Sequence, residues 1–494
     1  MYVKTKSDTT VSLLDSDGVT VEIREVLDSF GVNHSIGKEI GKGGQGLVCH
    51  TQNPEIVVKF ALGRMGTLID RVKNPLEFTK ANEEFKSIIY KPFPERIHVA
   101  YPMARLADYA GYVMRFMDDM VCYSDIVPLD ESGIRRMSED GGHRRRFELL
   151  FKLAAEISKL HGAGMVYCDL SPRNVYVTAD PKGLTQNVWL IDADNIFIPG
   201  EDADKLVYTA RYAAPELLSG MPCSQASDVY SFAVLAFESL AALHPFAGER
   251  AMGVGECNWD ETEAAGVAQD DFEVDLQYSG KIPWVEDAED ESNHTKNGLP
   301  PQTFLTGETF ELFNMTFSEC GRTTPKTRPT AMLWARAFAH SYMQCVRCPS
   351  CNMSFVYDSQ EKCPWCDENL PQILILKDVT GRKVFVHEIV FCDQGYGEEF
   401  YLHEHVVAPF KIDSFFSKVL KLRTVNENGL GIEFRLVQEN SAGREFAIVV
   451  NDVEERILSA YILQPKKGET YSLKCYDKET GLNVVLAIEM TGRA

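Results

Sequence analysis

The apolar positions of the first 340 residues follow two different periods. Between residues 147 and 160 they recur at 147, 150, 151, 154, 157 and 160, the spacing of a helix with one buried face. The arginines at 144–146, just before it, are expected on a solvated helix start. Short apolar runs at 56–60 and 111–117 predict buried strands, and runs at 175–177 and 188–191 predict a hairpin. The pattern indicates an α+β unit.

The two ends of the chain carry only strand-type patterns. Residues 371–494 contain short apolar segments separated by turn signals such as Thr480-Gly481, at 384–386, 432–437, 446–450, 471–475 and 484–488. This spacing is typical of an all-β, sandwich-like domain. Nothing in it looks catalytic, so a binding or self-association module is the default. Residues 1–35 predict a β-leader that packs on the following lobe, with a turn at Asp17-Gly18.

Composition narrows the class of protein. The chain has 494 residues and a formal net charge of −22, with 45% hydrophobic residues. This acidic balance argues against a nucleic-acid or membrane-surface partner, since both require basic patches. There is no apolar run long enough to span a bilayer and no apolar core of a signal peptide near the N-terminus. We therefore expect a cytoplasmic protein without a membrane or nucleic-acid partner.

A glycine-rich segment lies between two predicted strands. Gly41, Gly43 and Gly46 form the pattern G-x-G-x-x-G, followed by Leu47 and Val48. Glycine allows the backbone to approach phosphate oxygens closely. A dinucleotide-binding Rossmann unit would continue from these glycines into a long helix. Here an apolar run follows instead, so the sequence predicts a hairpin over a phosphate site.

Lys59 lies in the apolar run at 56–60. An ammonium group in a buried strand needs an anionic partner. The alternative is a strand-edge lysine that reaches solvent. Residues 75–90 predict a helix with several acids. We expect Glu84 to pair with Lys59, because Ile88 follows it at a core-facing distance. Glu83 remains a second candidate.

Two further carboxylates and an amide follow predicted elements. Asp169 comes after the helix at 147–160, and Asn174 follows it five residues later. Asp192 lies at the end of the predicted hairpin. Carboxylate and amide oxygens suit Mg²⁺ bound together with substrate phosphates. A turn-forming aspartate is the alternative for Asp192 in isolation, so Asn174 and Asp192 are candidate Mg²⁺ ligands only in combination with the other motifs.

These motifs, taken in order and completed by Ala214-Pro215-Glu216, resemble those of eukaryotic-type (Hanks-type) protein kinases. The resemblance implies a bilobal kinase domain at residues 36–342, with an N-lobe at 36–116 and a C-lobe at 117–342. It also implies ATP and Mg²⁺ as cofactors and a protein substrate. The expected reaction is transfer of the γ-phosphate to Ser or Thr hydroxyls, with autophosphorylation.

The resemblance also assigns roles to residues. Asp169 would receive the hydroxyl proton, Lys59 would hold the phosphates while paired with Glu84, and the glycines with Val48 would cover the nucleotide. Met114 would be the gatekeeper beside the adenine, which the backbone of Phe116 and Met117 would contact. Arg173 would reach the γ-phosphate, as the equivalent arginine does in tyrosine kinases, which leaves the choice between Ser/Thr and Tyr open.

The C-lobe narrows the resemblance to bacterial kinases of tellurite-resistance-type gene clusters. The residues that carry it are Pro283-Trp284, Asn293, Gly298-Leu299-Pro300, Gly321-Arg322, Arg328-Pro329-Thr330 and Trp334. Such kinases work beside a PP2C-like phosphatase and a von Willebrand A-type protein, which this resemblance implies as partners. It also makes Arg328 the buried partner of Glu216.

Some positions depart from the kinase pattern. Tyr167-Cys168 replaces His-Arg before the catalytic Asp, so we expect no requirement for activation-loop phosphorylation. Ser171 replaces the usual Lys, and Ala193-Asp194 replaces Phe-Gly after the metal-binding Asp. The alternative function is therefore a pseudokinase, a nucleotide-binding scaffold acting through its C-terminal domains.

Residues 343–370 carry a cysteine pattern typical of a zinc ribbon. Cys348 and Cys351 form one C-x-x-C pair, and Cys363 and Cys366 form a second pair after eleven intervening residues. Four thiolates at this spacing can surround one structural Zn²⁺. Cys345 also forms a C-x-x-C with Cys348, so the first pair of ligands has an alternative.

Overall fold

The structure is a computed structural model. It describes residues 10–43, 46–128, 131–183, 186–200, 206–252, 277–390, 395–403, 418–426, 430–437, 443–466 and 468–491. Parts of three sequence predictions lie outside these residues: the start of the β-leader, the centre of the glycine-rich segment, and part of the C-terminal β-region.

The first lobe is a twisted antiparallel sheet with one helix against it. The sheet order is β3-β4-β5-β6-β8-β7, and β1 and β2 form a separate hairpin. Val11, Leu13 and Ile23 from this hairpin join the same apolar cluster as the strands. The elements are β1 (Val11–Leu14), β2 (Thr20–Ile23), β3 (Glu25–Leu27), β4 (Asn33–Gly43), β5 (Gly46–Thr51), β6 (Ile56–Ala61), α1 (Pro75–Ile89), β7 (Ala104–Arg105) and β8 (Gly111–Arg115).

The second lobe is mainly helical and is built around α3 and α5. The predicted helix at 147–160 lies within α3, and the predicted hairpin is β10–β11, with Val175 opposite Leu190. Its elements are β9 (Met120–Cys122), α2 (Glu131–Arg136), α3 (Gly142–Gly162), β10 (Val175–Thr178), β11 (Val188–Leu190), α4 (Pro215–Leu218), α5 (Gln225–Ala241), α6 (Glu249–Met252), α7 (Gly307–Phe317), α8 (Glu319–Thr323) and α9 (Ala331–Met343).

The expectation of a solvated arginine run is wrong for Arg145 and Arg146, which are both buried. Arg146 Nη2 donates to the Ile126 carbonyl at 2.6 Å, and Nη1 donates to the Gly142 carbonyl at 3.1 Å. The two guanidinium groups are tolerated in the interior because backbone oxygens and a glutamine side chain accept their hydrogen bonds. These buried side chains fix the start of α3 and are not exposed to solvent.

The remaining strands form a short cysteine-bearing hairpin and two antiparallel sheets. The hairpin pairs β12 with β13, the larger sheet has the order β15-β14-β24-β23-β20-β21, and the other has β16-β18-β19-β22, with β17 on β18. The strands are β12 (Cys345–Arg347), β13 (Ser354–Val356), β14 (Gln372–Lys377), β15 (Lys383–Ile389), β16 (Gly395–Tyr396), β17 (Phe400–His403), β18 (Lys418–Asn426), β19 (Leu430–Leu436), β20 (Arg444–Val450), β21 (Val453–Ile457), β22 (Ala460–Leu463), β23 (Tyr471–Asp477) and β24 (Leu482–Thr491).

Strand β14 contributes to the apolar cluster of the two sheets and also to the cluster of the cysteine hairpin. Leu374 and Leu376 join the apolar cluster shared by the two sheets, whereas Ile373 and Ile375, on the opposite face, contact the cysteine hairpin. Side chains alternate across a strand, so one strand can serve both clusters. The hairpin also contacts the helical lobe, because the Ser354 hydroxyl accepts from the Arg144 amide at 3.0 Å. It therefore lies between the helical lobe and the sheets.

Candidate active site

A cleft of about 550 Å³ separates the two lobes. It has the size and mixed apolar and polar lining of a small-molecule site. Nine of the predicted site residues line it: Gly41, Gly46, Val48, Lys59, Met114, Phe116, Met117, Asp169 and Asp192. Arg115, Tyr112, Tyr176, Asn195 and Val207 line it too. The fold thus brings together residues as distant in the chain as Gly41 and Val207.

The glycine-rich segment includes the end of β4 and the start of β5. Gly43 pairs with Gly46 across the end of this hairpin. A Cβ atom on Gly46 would lie 2.7 Å from the Phe60 carbonyl oxygen, closer than any side chain tolerates. Glycine is therefore required at 46 for β5 to lie against β6. This hairpin forms the upper wall of the cleft, as the sequence predicted.

The back of the cleft is formed by β6 and β8. Val57 lies opposite Met114, and Lys59 lies opposite Tyr112, in an antiparallel register. The chain then leaves β8 through Phe116, whose amide donates to the Glu55 carbonyl at 2.7 Å. The predicted gatekeeper and hinge residues therefore lie along one wall, where β8 runs into the second lobe.

Lys59 is mostly buried in this wall, with 12% of its side chain exposed. Its Nζ lies 2.9 Å from Asp192 Oδ1 and 3.9 Å from Asp194 Oδ2. Burial acts to lower the pKa of Lys59, but Tyr112, Asp194 and Asp192 outweigh it, so the pKa is raised. Lys59 is therefore a stable cation at neutral pH.

The predicted pair between Lys59 and Glu84 is wrong for this structure. Glu84 is exposed on α1, and Glu83 is exposed and lies 3.6 Å from Lys86 Nζ. The buried face of α1 carries Asn82, Phe85 and Ile88. Lys59 instead meets acids that follow β11.

The catalytic loop, residues 165–174, carries Asp169, and two side chains hold its carboxylate. Thr209 Oγ1 donates to Asp169 Oδ1 at 2.7 Å, and Asn174 Nδ2 donates to Oδ2 at 3.1 Å and to the Asp169 carbonyl at 2.8 Å. The Ile191 amide donates to the Asn174 carbonyl at 3.0 Å, which joins this loop to the segment carrying Asp192. Hydrogen bonds thus link Asp169 to Asn174, and Asn174 to the segment that carries Asp192.

Asp228 supports the loop from beneath and was missed by the sequence analysis as a site residue. It is buried at the start of α5, and its carboxylate accepts from the amides of Tyr167 at 2.8 Å and Cys168 at 2.9 Å. His161 Nε2 also lies 2.9 Å from it. An acid at the start of a very apolar helix was the available signal, because a buried carboxylate needs donors.

Arg173 and Asp192 have different environments. The side chain of Arg173 is exposed on the loop. Asp192 is held in the left-handed region, with φ 53° and ψ 62°, directly after the hairpin. This backbone conformation is uncommon away from glycine and recurs at functional sites.

Two cysteines next to the catalytic loop are joined. Cys168 directly precedes Asp169, and Cys223 lies just before α5. Their Cα atoms are 5.5 Å apart, and the structure pairs them as a disulfide. The sequence analysis did not anticipate this link, because the two residues are separated by 55 positions.

The four predicted zinc ligands lie together. The sulfur atoms of Cys348, Cys351, Cys363 and Cys366 all fall within 4.8 Å of one another. Two of the sulfur pairs are 3.7 Å apart, close to the spacing of about 3.8 Å that tetrahedral Zn–S bonds of about 2.3 Å require. Cys345 lies outside this group, and burial raises its pKa to about 12. The donor set therefore fits a closed thiolate site.

A buried ion pair anchors the end of the activation segment, residues 192–216. Arg328 Nη1 and Nη2 lie 2.7 Å and 2.8 Å from the two carboxylate oxygens of Glu216. Arg328 Nε also donates to the Gly321 carbonyl at 2.7 Å. The pairing that the resemblance implied is confirmed.

A β-rich lobe, a helical lobe and a cleft containing Lys59, Asp169 and Asp192 define a kinase-type architecture. A profile described as Protein kinase domain matches residues 35–343, and the chain therefore belongs to the protein kinase family. The Hanks-type prediction is confirmed at this level.

Curated relatives are bacterial serine/threonine-protein kinases. The chain is 31% identical to serine/threonine-protein kinase PknA of Mycobacterium tuberculosis over 22% of its own length and 26% of that protein. It is 25% identical to serine/threonine-protein kinase PknD of Chlamydia felis over 44% of its length and 25% of that protein. The matches thus span about a quarter of each of these relatives. Among the described residues, no helix is long and apolar enough to cross a membrane.

Proposed function

We propose that this protein is a protein kinase that transfers the γ-phosphate of ATP to Ser or Thr hydroxyls of a protein substrate. The observation that carries the proposal is the cleft in which Lys59, Asp169 and Asp192 meet beneath the β4–β5 glycine hairpin. Such enzymes work chiefly by positioning and charge stabilisation. The arrangement supplies a cation for phosphates and a carboxylate for a hydroxyl proton.

Asp169 is the proposed proton acceptor. Its Oδ1 and Oδ2 already accept hydrogen bonds from Thr209 and Asn174, which fix the carboxylate plane. Asn174 and Asp192 are the proposed ligands of Mg²⁺, because Asp192 lines the cleft and the Ile191 amide joins its segment to the Asn174 carbonyl. When bound, Mg²⁺ would neutralise charge on the phosphates. Lys59 holds the phosphates, and Arg173 is the proposed contact of the γ-phosphate.

The proposal also covers the acceptor residue, the regulation, the partners and the location of the kinase. The names of the relatives favour Ser/Thr over Tyr as acceptors. Cys168 stands where kinases that need loop phosphorylation carry Arg, so activity is expected without that modification, and autophosphorylation is expected. A PP2C-like phosphatase and a von Willebrand A-type protein are the proposed partners, and the cytoplasm the proposed location. The kinase domain would be followed by a zinc ribbon and a β-sandwich.

The test is transfer of labelled γ-phosphate from Mg-ATP to the protein itself and to a generic protein substrate, with phosphosites mapped by mass spectrometry. Asp192→Asn serves as the inactive control. Label on Ser or Thr in the wild type alone supports the proposal, whereas label on Tyr would redirect the specificity. Absence of label in a folded protein that binds Mg-ATP would instead favour the nucleotide-binding scaffold.

We also propose that Cys348, Cys351, Cys363 and Cys366 hold one structural Zn²⁺. The purified protein is expected to contain one equivalent of zinc per chain, measured by elemental mass spectrometry. Cys363→Ser should lose the metal and melt at a lower temperature, because the site joins the helical lobe to the sheets. Chelation should have the same effect on the wild type.

Cys345→Ala and Cys320→Ser are the matched controls for the zinc site. Cys345 is buried outside the four-sulfur group, and Cys320 is exposed on α8. Both variants should keep their zinc. If Cys345→Ala loses its zinc and Cys351→Ser keeps it, the first ligand pair is Cys345 and Cys348.

A further inference from the structure

The acid that pairs with Lys59 comes from an unexpected part of the chain. Among the described residues, the carboxylates within 4 Å of Lys59 Nζ are those of Asp192 and Asp194, both directly after β11. The acids of α1 that were expected to approach Lys59 are exposed. The helix face that packs against β8 is apolar or neutral there, with Phe85 in edge contact with Tyr112.

Asp194 is placed to interact with Lys59 in a partly enclosed site. Its side chain is 33% exposed, but its Oδ1 atom is buried. It lies in a short turn that begins after Asp192, and the Asn195 amide donates to the Asp192 carbonyl at 3.0 Å. The two carboxylates are therefore held on the same rigid turn. In a kinase of the common pattern the residue at this position is glycine, which has no charge to offer.

The two carboxylates cannot serve the same purpose once nucleotide binds. Asp192 is the proposed Mg²⁺ ligand, so binding of Mg-ATP turns its charge towards the metal. Lys59 would then exchange Asp192 for the phosphates as its nearest anionic partner in this mostly buried wall. Asp194, at 3.9 Å, is the carboxylate that remains.

We infer that Asp194 is a positioning residue that holds Lys59 against the ATP phosphates, in the place of a carboxylate from helix α1. This inference rests on the proposed kinase function and deepens it. It gives a role to the Ala193-Asp194 departure, which otherwise argues for an inactive protein.

The test compares Asp194→Asn with Glu84→Gln, two changes that each remove one negative charge. Affinity for Mg-ATP is measured by calorimetry, and KM and kcat by transfer of labelled phosphate. Asp194→Asn should weaken Mg-ATP binding about tenfold, the value of one charged contact. Glu84→Gln should change it by less than about twofold, as expected for an exposed side chain. Asp194→Glu, which keeps the carboxylate, should recover most of the affinity.

A double-mutant cycle separates a direct contact from a general structural role. Lys59→Met should weaken binding, and adding Asp194→Asn to it should weaken binding no further, whereas independent effects would multiply. If Asp194→Asn alone lowers the melting temperature, the double variant should melt no lower than Lys59→Met alone, because the contact between Lys59 and Asp194 is already absent there.

Three results would overturn the inference. These are wild-type affinity in Asp194→Asn, a large loss in Glu84→Gln, or independent effects in the cycle. Because binding is measured separately from transfer, a protein that binds Mg-ATP without transferring phosphate would contradict the proposed function alone. A wild-type protein that does not bind Mg-ATP would overturn both.

Discussion

Asp169→Asn is expected to lower the turnover number of phosphate transfer by about 10²–10⁴-fold, the usual value of a general base. The amide is almost the same size as the carboxylate but cannot accept the hydroxyl proton. The affinity for Mg-ATP should stay unchanged, because the groups proposed to hold the phosphates and Mg²⁺ are Lys59 and Asp192, which also line the cleft. Initial rates at several ATP concentrations separate the two quantities.

Thr209→Val is the matched control for this experiment. It removes only the hydroxyl that donates to Asp169 Oδ1 at 2.7 Å. We expect a smaller decrease in turnover, about tenfold, because one orienting hydrogen bond is lost and the base is retained. An Asp169→Asn protein with wild-type turnover would show that another group accepts the proton. A lower melting temperature in Asp169→Asn would instead indicate a structural contribution.

Arg328→Ala is expected to lower the free energy of unfolding of the kinase domain by about 3–5 kcal/mol, the cost of leaving one partner of a buried ion pair alone. The Arg328 side chain is 1% exposed and that of Glu216 is 9% exposed. The change also removes donors from the Gly321 and Ala226 carbonyls and the cation above the Tyr230 ring. Thermal or urea unfolding measures the effect.

Activity should fall with this stability, because Glu216 ends the segment that carries Thr209 to the active site. The control is the double change Arg328→Met with Glu216→Gln, which removes both charges together and should recover part of the lost stability. If Arg328→Ala and the double variant unfold at the wild-type temperature, the pair contributes little and the activation segment is anchored elsewhere.

Local patterns were sufficient to predict the elements that build the cleft. The spacing of apolar residues predicted α3 and the β10–β11 hairpin, because each is a short stretch of chain with one buried face. The common site of Lys59, Asp169 and Asp192 was instead predicted from the kinase resemblance. The two cysteine pairs, like the helix and the hairpin, depend on local sequence, since each C-x-x-C closes its own turn.

The failures involve partners from distant segments. On α1, Glu84 directly precedes the buried Phe85, and one residue corresponds to roughly 100° of helix rotation, which turns its side chain to solvent. The sequence could not show which face packs on β8. Arg146 is buried because the Ile126 carbonyl receives it, and no local pattern reveals that acceptor. Thr209 and Asp228 likewise meet the catalytic loop only in the folded chain.

The bond between Cys168 and Cys223 makes the covalent state of the catalytic loop depend on the reducing agent in the buffer. Cys168 Sγ lies 3.1 Å from the carbonyl oxygen of Val207, which lines the cleft. A disulfide sulfur has no proton to offer that oxygen, whereas a thiol at the same place donates a weak hydrogen bond. We expect dithiothreitol to reduce this bond, and in the reducing cytoplasm proposed for the protein we expect the thiol form.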